Sequence, residues 1–485
     1  MTIKSLLSAA LVTCLVQFTQ ARTPVVEASG ESEEIVAGWA GLPQVLKHIK
    51  APEFADREFL ITDYGAIEGG EVKCTDAIAR AIEACSDAGG GKVVIPAGEW
   101  LSGPIHYKSK VCIEIQKGAT LNFSTDFEDY LPAVFIRWEG IESYSYSPLI
   151  YANGCKDIGL IGEGTINGNG PAWWKWREQK PAPGPYRIAN AAHIEWGKHN
   201  TPVEKRVLDR TDFHWCPTLV GFYNNENILI EGLTMIDGPF WNIHPVYCKN
   251  ITIRGVTLDN DGPNGDGCNP SSCNYVLIED CTFNTGDDCI AIKSGKDTDG
   301  RRVGIPSQNI VVRNCIMKNG HGGVVCGSEM SGGIRNVYVE DCIMNSPDLG
   351  RALRIKTNNV RGGFIENINM RNVEVGVVSE AVLQINFFYT GGWTSVPPIQ
   401  KISKSDIVGA DGEFTPWVKH VNLENITSAE SPFGILIEAM EESPVEGLVI
   451  KNCTFNNVAK GNVMKHVNDP RIINLVVNPD ANPQP

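Results

Sequence analysis

Tyr275-Val-Leu-Ile-Glu-Asp-Cys-Thr-Phe283 reads as a short strand of alternating apolar residues, a polar corner and a second short strand. The chain repeats this phrase. It recurs upstream as Asn227-Ile-Leu-Ile-Glu-Gly-Leu-Thr-Met235 and Asn250-Ile-Thr-Ile-Arg-Gly-Val-Thr-Leu258, and downstream as Asn309-Ile-Val-Val-Arg-Asn-Cys-Ile-Met317 and Asn336-Val-Tyr-Val-Glu-Asp-Cys-Ile-Met344. Asn367–Val375, His420–Ser428 and Gly447–Phe455 continue the series. Successive starts up to Asn367 lie 23, 25, 34, 27 and 31 residues apart, and the gap of 53 before His420 has room for an additional coil or a long loop. A unit of this size cannot bury its apolar face alone, so a repeat of roughly 20–50 residues signals a solenoid. Two or three short strands per turn with no helices between them predict an all-β chain. The expected fold is a single-domain right-handed parallel β-helix.

The ends are read from local pattern. Thr75–Ala88 is the clearest helix, with Ile78, Ile82 and Cys85 on one face and Gly89-Gly-Gly91 as its stop. It is expected to cap the open N-terminal end of the solenoid, ahead of the strand Lys92–Ile95. Residues 1–21 read as a secretory signal: Lys4, the apolar stretch Leu6–Val16 and a small-residue site at Thr19-Gln-Ala21. The expected organisation is signal 1–21, a peripheral lead-in 22–57, the β-helix 58–475 and a tail 476–485. The protein is expected to be secreted or periplasmic, with no membrane span. Cys281, Cys315, Cys342 and Cys453 share one position of the phrase with Leu233, Val256, Val373 and Ile426, which predicts an inward apolar stack rather than disulfides. Cys268 and Cys273 remain candidates for a disulfide. The net charge of −15 gives no sign of nucleic-acid binding.

Four polar clusters sit between or just after the strands: Gly262-Pro-Asn-Gly-Asp-Gly267, Gly286-Asp-Asp288, Gly320-His-Gly322 and Arg354-Ile-Lys356. A Gly-Asp-Asp alone is ordinary turn chemistry. Coils of a β-helix, however, lie about 4.8 Å apart, so clusters on neighbouring coils can share one sugar-sized site. Gly286 leaves the backbone free to swing Asp287 and Asp288 toward one cleft. Two adjacent aspartates and Asp266 on the next coil suit glycosidic hydrolysis with inversion. That reaction uses a protonated acid and a water-activating carboxylate about 6.5–9.5 Å apart, and like-charge proximity helps one of them keep its proton. Arg354 and Lys356 alternate in a strand, face one side and can bind a carboxylate together.

In this order the four clusters resemble glycoside hydrolase family 28, the polygalacturonase family. The resemblance runs from Phe59 to Phe455 and includes Trp241-Asn-Ile-His-Pro245, Gly327-Ser-Glu-Met-Ser-Gly-Gly333 and Gly350-Arg-Ala-Leu-Arg-Ile-Lys-Thr357. It implies the same β-helix and inverting cleavage of α-1,4-linked galacturonic acid in pectin. It further implies that Asp287 is the general acid, that Asp266 and Asp288 hold and activate the water, and that His321 orients the acid. Asn264, Arg354, Lys356 and Tyr389 are the implied substrate-binding residues. Asn264-Gly265-Asp266 departs from the family's Asn-Thr-Asp, and Phe387-Phe388 make the register of Tyr389 ambiguous. Residues 290–360 carry ten Lys/Arg against six Asp/Glu, the reverse of the whole chain's 42 against 57, which suits a uronic acid.

The expected partner is a pectic polysaccharide or oligogalacturonide bound by a monomer, with no cofactor and no metal. The long stretch Pro171–Pro217 carries Trp173, Trp174, Trp176, His193, Trp196, Arg210, His214 and Trp215. It is expected to wall off one end of the cleft and make the enzyme exo-acting. A hydrolase of rhamnogalacturonan or substituted galacturonan is the near alternative. A calcium-dependent pectate lyase is a further one, although Pro263, Asn264 and Pro270 break the calcium-loop pattern that starts at Asp259. A non-catalytic glycan-binding β-helix would have no need of Asp266, Asp287 and Asp288.

Overall fold

The computed structural model describes residues 36–176, 184–210, 215–389 and 414–480. The phrases form strands with the expected corner, as in Lys249–Arg254 and Thr257–Asn260. Each strand pairs in parallel with its counterpart one coil away. Ile251, Val276, Ile310, Val337, Ile368 and Val421 are consecutive register partners, and Leu258, Phe283, Met317 and Met344 make a second stack. These buried columns are the core of a right-handed parallel β-helix.

The corners explain why the phrase begins with asparagine and turns at Gly, Asp or Asn. Asn227, Asn250, Asn309, Asn336 and Asn367 open their coils at φ of 54° to 60°, and Gly232, Gly255, Asp280, Asn314, Asp341 and Asn372 turn them at 52° to 79°. Left-handed backbone costs most L-residues roughly 1–2 kcal/mol, and Gly, Asn and Asp are the types that tolerate it. The asparagines also bond along the stack: Asn336 donates to Asn309 and Asn367 to Asn336, each at 2.8 Å.

A third face carries the strands Ile150–Asn153, Val220–Tyr223 and Ile243–Val246, then Ile290–Ile292, Val324–Gly327, Arg351–Lys356 and Ala381–Asn386. Cys268 bridges the two groups by pairing with Ile243 and Ile290. Two additions flank this face, the antiparallel hairpin Val134–Trp138/Ile141–Ser145 and the helix Pro185–Lys198.

The capping helix runs Thr75–Asp87 and buries Ala77, Ile78, Ala81, Ile82 and Cys85 beside strands Glu58–Leu60 and Gly91–Ile95. The described part of the lead-in is less peripheral than its composition suggests. Leu42 and Val45 pack on Tyr275, Leu277, Val311 and Tyr338, more than 200 residues further on. The last strand, Arg471–Pro479, extends beyond the expected domain end. Across the 53-residue gap Ile368 pairs directly with Val421, so these two strands are neighbours in the stack; residues 390–413 lie outside the described set. Cys268 and Cys273 are not joined in a disulfide. They occupy different columns: Cys268 stacks between Ile243 and Ile290, whereas Cys273 directly precedes Asn274, the register partner of Lys249, which follows Cys248 on the coil before.

Candidate active site

Asp288 stands two residues before Ile290, and Asp266 two before Cys268, which is the register partner of Ile290. The same position of two neighbouring coils therefore carries a carboxylate, and Asp287 adds a third. One oxygen of each lies within 4.8 Å of the others. This is tighter than the about 6.5–9.5 Å expected between an isolated acid and base. The coil spacing, about 4.8 Å in any sheet, sets the limit. Oxygens this close can share a single water at about 2.8 Å from each.

Each carboxylate has its own cation. His321 Nδ1 is 2.9 Å from Asp287 Oδ1, Lys356 Nζ donates to Asp288 Oδ2 at 2.6 Å, and Lys293 Nζ lies 3.7 Å from Asp266 Oδ2. Arg354 is 3.7 Å from Asp288 Oδ1, so side-chain cations balance the cluster. Asn269 donates to Asp266 Oδ2 at 2.7 Å and Asn264 to Asp287 Oδ2 at 3.4 Å. Burial differs sharply: the Asp287 side chain is 18 % exposed, against 3 % for Asp266 and 1 % for Asp288. Of the three, only Asp287 presents its carboxyl to something as large as a glycosidic oxygen.

Asp266 and Asp287 act on each other's titration. Burial, then the charge of Asp287, raises Asp266 well above the ordinary carboxylate range, with Lys293 opposing. Burial also raises Asp287, but the bond and charge of His321, with Lys356 and Lys293, outweigh it and hold Asp287 low. The hydrogen bond to Asp287 in turn raises His321. Asp266 is thus harder to ionise than Asp287, and the Asp287–His321 contact favours a proton on the imidazole.

The glycines act by close approach. A Cβ on Gly286 would collide with the carbonyl oxygens of Asp261 and Gly262 on the preceding coil, so contact rather than backbone freedom requires glycine there. At Gly265 a Cβ would lie 2.7 Å from Gly262 O and 2.8 Å from Asn260 O. The turn thus excludes the family's threonine, and Asn264 reaches Asp287 without it.

Tyr389 lies against both candidate binding cations, its ring centroid 5.5 Å from Arg354 and 5.2 Å from Lys356, while Phe387 is buried in the core. The local excess of basic residues overstates the cleft, because the solenoid sends successive side chains to different faces. Arg313 pairs with Glu279 and Arg335 with Gln308 on the long sheet, and Arg302 pairs with Asp299.

The stretch Pro171–Pro217 is not the aromatic wall expected from its composition. Trp173, His193 and Trp215 are buried, His193 bonding Trp138 O at 3.0 Å, and Pro185–Lys198 is helical. These rings pack the helix onto the hairpin, since an indole gains more from burial than from exposure to water. His214 lies outside the described residues. Among the described residues of the stretch, Trp174 touches the candidate site, its indole over Gly262 and its Nε1 3.3 Å from Gly238 O. Lys293 and Asn269 are not among the candidate residues read from sequence, and Trp241 enters there only as part of the motif Trp241–Pro245. Lys293 was legible in principle, since it alternates with Ala291 in the strand that follows the aspartates.

Known proteins are similar to this chain along most of its length. The model of the glycosyl hydrolases family 28 matches residues 204–413. A solved exopolygalacturonase from Thermotoga maritima is 37 % identical, covers 90 % of this chain and 95 % of its own, and superposes with a TM-score of 0.81. A Vitis vinifera protein described as "Probable polygalacturonase" is 29 % identical over 416 residues, 82 % of this chain and 74 % of its own. An exo-poly-alpha-D-galacturonosidase of Dickeya chrysanthemi is 27 % identical over 354 residues, 68 % of this chain and 57 % of its own. The repeat, the β-helix and the extent of the 37 % match lead to one conclusion: this chain is a glycoside hydrolase and belongs to family 28.

Proposed function

We propose that the enzyme is a secreted or periplasmic, monomeric polygalacturonase that hydrolyses α-1,4-linked galacturonic acid from a chain end with inversion. The observation that carries the chemistry is the asymmetry of the aspartate cluster, one carboxyl accessible and two buried within 4.8 Å of it. Asp287 delivers a proton to the glycosidic oxygen, and Asp266 and Asp288 hold and activate one water. His321 orients Asp287 and shares its proton, while Asn264, Arg354, Lys356 and Tyr389 bind the sugar. A water shared by two carboxylates brings acid and base closer than a single flanking pair would stand. The first-formed reducing end should therefore be β, as read by NMR during early turnover; an α product would overturn inversion.

Support for exo action comes from the long match to the Thermotoga maritima exopolygalacturonase and from the additions beside the cleft. The hairpin tip is tied to the segment after Lys293, because Lys296 N donates to Gly140 O at 3.0 Å. Helix Pro185–Lys198 braces that hairpin, with Gly197 pressed on Ile141. This wall, with Trp174, stops the substrate path on one side. Digestion of polygalacturonate should release only mono- or digalacturonate from the start while viscosity falls slowly. An early ladder of oligomers would refute exo action, and unsaturated UV-absorbing products would indicate a lyase.

A further inference from the structure

We infer that Lys293 is a positioning residue that favours the ionised form of Asp266 against its burial and aims it at the attacking water, with Glu329 setting how strongly it does so. The inference rests on the catalytic reading above. Lys293 Nζ is 2.9 Å from Glu329 Oε2, 3.7 Å from Asp266 Oδ2 and 4.5 Å from the centroid of the Trp241 ring. Its side chain is 5 % exposed, so the ammonium is enclosed by two carboxylates and an indole face and offers almost no surface to a sugar. At such burial the charge acts with little screening by solvent.

Among the described residues, the groups around Asp266 leave it no other dedicated cation. Asp287 and Asp288 face it as like charges, and Lys356 is bonded to Asp288. Asn269 supplies a neutral hydrogen bond only. His244 faces the same cluster but is driven far below its usual range by burial and by Lys293 and Arg137, so it stays neutral and cannot stand in. Glu329 is itself faced by Lys293, Arg361 and Lys296, and accepts a bond from Ser328 Oγ at 3.2 Å. A water-activating carboxylate must be ionised, and the loss of one adjacent opposite charge raises a carboxyl by roughly 1–3 pH units.

The test is the pH dependence of kcat and KM on a short oligogalacturonide for three variants, each checked for folding by circular dichroism. Lys293→Met should move the acid limb of kcat up by about one unit or more, with KM changed by less than about threefold. Lys293→Arg should restore the limb. Glu329→Gln removes the competing anion, strengthens the hold on Asp266 and should move the limb down, which keeps the inference testable if Lys293→Met does not fold. A loss uniform across pH would reduce Lys293 to a packing role, and a raised KM with a fixed limb would make it a substrate ligand. Either result overturns the inference. If the wild-type protein released no reducing sugar from polygalacturonate, the catalytic reading itself would fail, a distinct outcome.

Discussion

The Asp287–His321 contact is the point at which one residue controls the state of another. Replacing the accessible carboxyl should be close to fatal: Asp287→Asn is expected to lose roughly 10²–10⁴-fold or more in kcat with the fold intact, and near-normal turnover would remove the acid assignment. His321 makes a finer prediction. Its pKa is raised by Asp287, so the pair keeps its shared proton to a higher pH than a lone carboxyl would. In His321→Gln, Asp287 titrates alone, and the alkaline limb of kcat/KM should move to lower pH. The loss should be severe near pH 7 and mild near pH 5; equal loss at both would mean that His321 only binds sugar. Arg354 and Lys356 should also separate. Lys356 is engaged by Asp288 at 2.6 Å, whereas Arg354 Nε has no hydrogen-bond partner among the described residues. Arg354→Ala should mainly raise KM, and less so on methyl-esterified chains, while Lys356→Ala should mainly lower kcat. The reverse pattern would exchange their roles.

The wall beside the cleft is held by buried charge. Arg206 Nη1 meets Asp299 Oδ1 at 2.7 Å with both side chains fully buried, Arg302 pairs with Asp299 and Glu142, and Tyr247 donates to Glu142 Oε1 at 2.7 Å. Breaking such a network from one side is costly, because the remaining charge stays buried. Asp299→Ala should destabilise the protein by about 3–5 kcal/mol in thermal unfolding and release intermediate oligomers from polygalacturonate. An unchanged Tm with unchanged products would show that the clamp is idle. Burial raises Asp299, but Arg206 and Arg302 outweigh it and its pKa is lowered. The stabilisation is therefore complete above the unfolded carboxyl value of about 3.9 and is lost only as pH falls through the lower folded value.

Across the whole molecule, inward columns and left-handed corners do the same work on every coil. Cys281, Cys315 and Cys342 sit in such a column as buried thiols, with no disulfide among the described residues. The hydrogen bond with Cys315, then burial, pushes Cys342 well above the usual thiol range, and burial pushes Cys289 up to about 12. The native protein should thus barely react with a thiol reagent at pH 8, react fully once unfolded, and keep its Tm in the presence of a reductant. A Tm lowered by the reductant would reveal a structural disulfide.

The sequence alone determined the solenoid, because period-two alternation is local and one repeated phrase says which residues face inward. It also determined the four polar clusters, since register places equal positions of adjacent coils side by side. The exchange of Cys281 and Cys315 with Val256 could be read without coordinates for the same reason. Only the tertiary structure decided what long side chains reach. Lys356 crosses two coils to Asp288, and Lys293 turns back to Asp266 and Trp241. It also decided that Trp173, His193 and Trp215 pack inward while Trp174 covers Gly262, and that Leu42 and Val45 lie on Tyr338. These contacts join segments tens to hundreds of residues apart. They depend on which surfaces the coils leave open, and no local period in the chain encodes that.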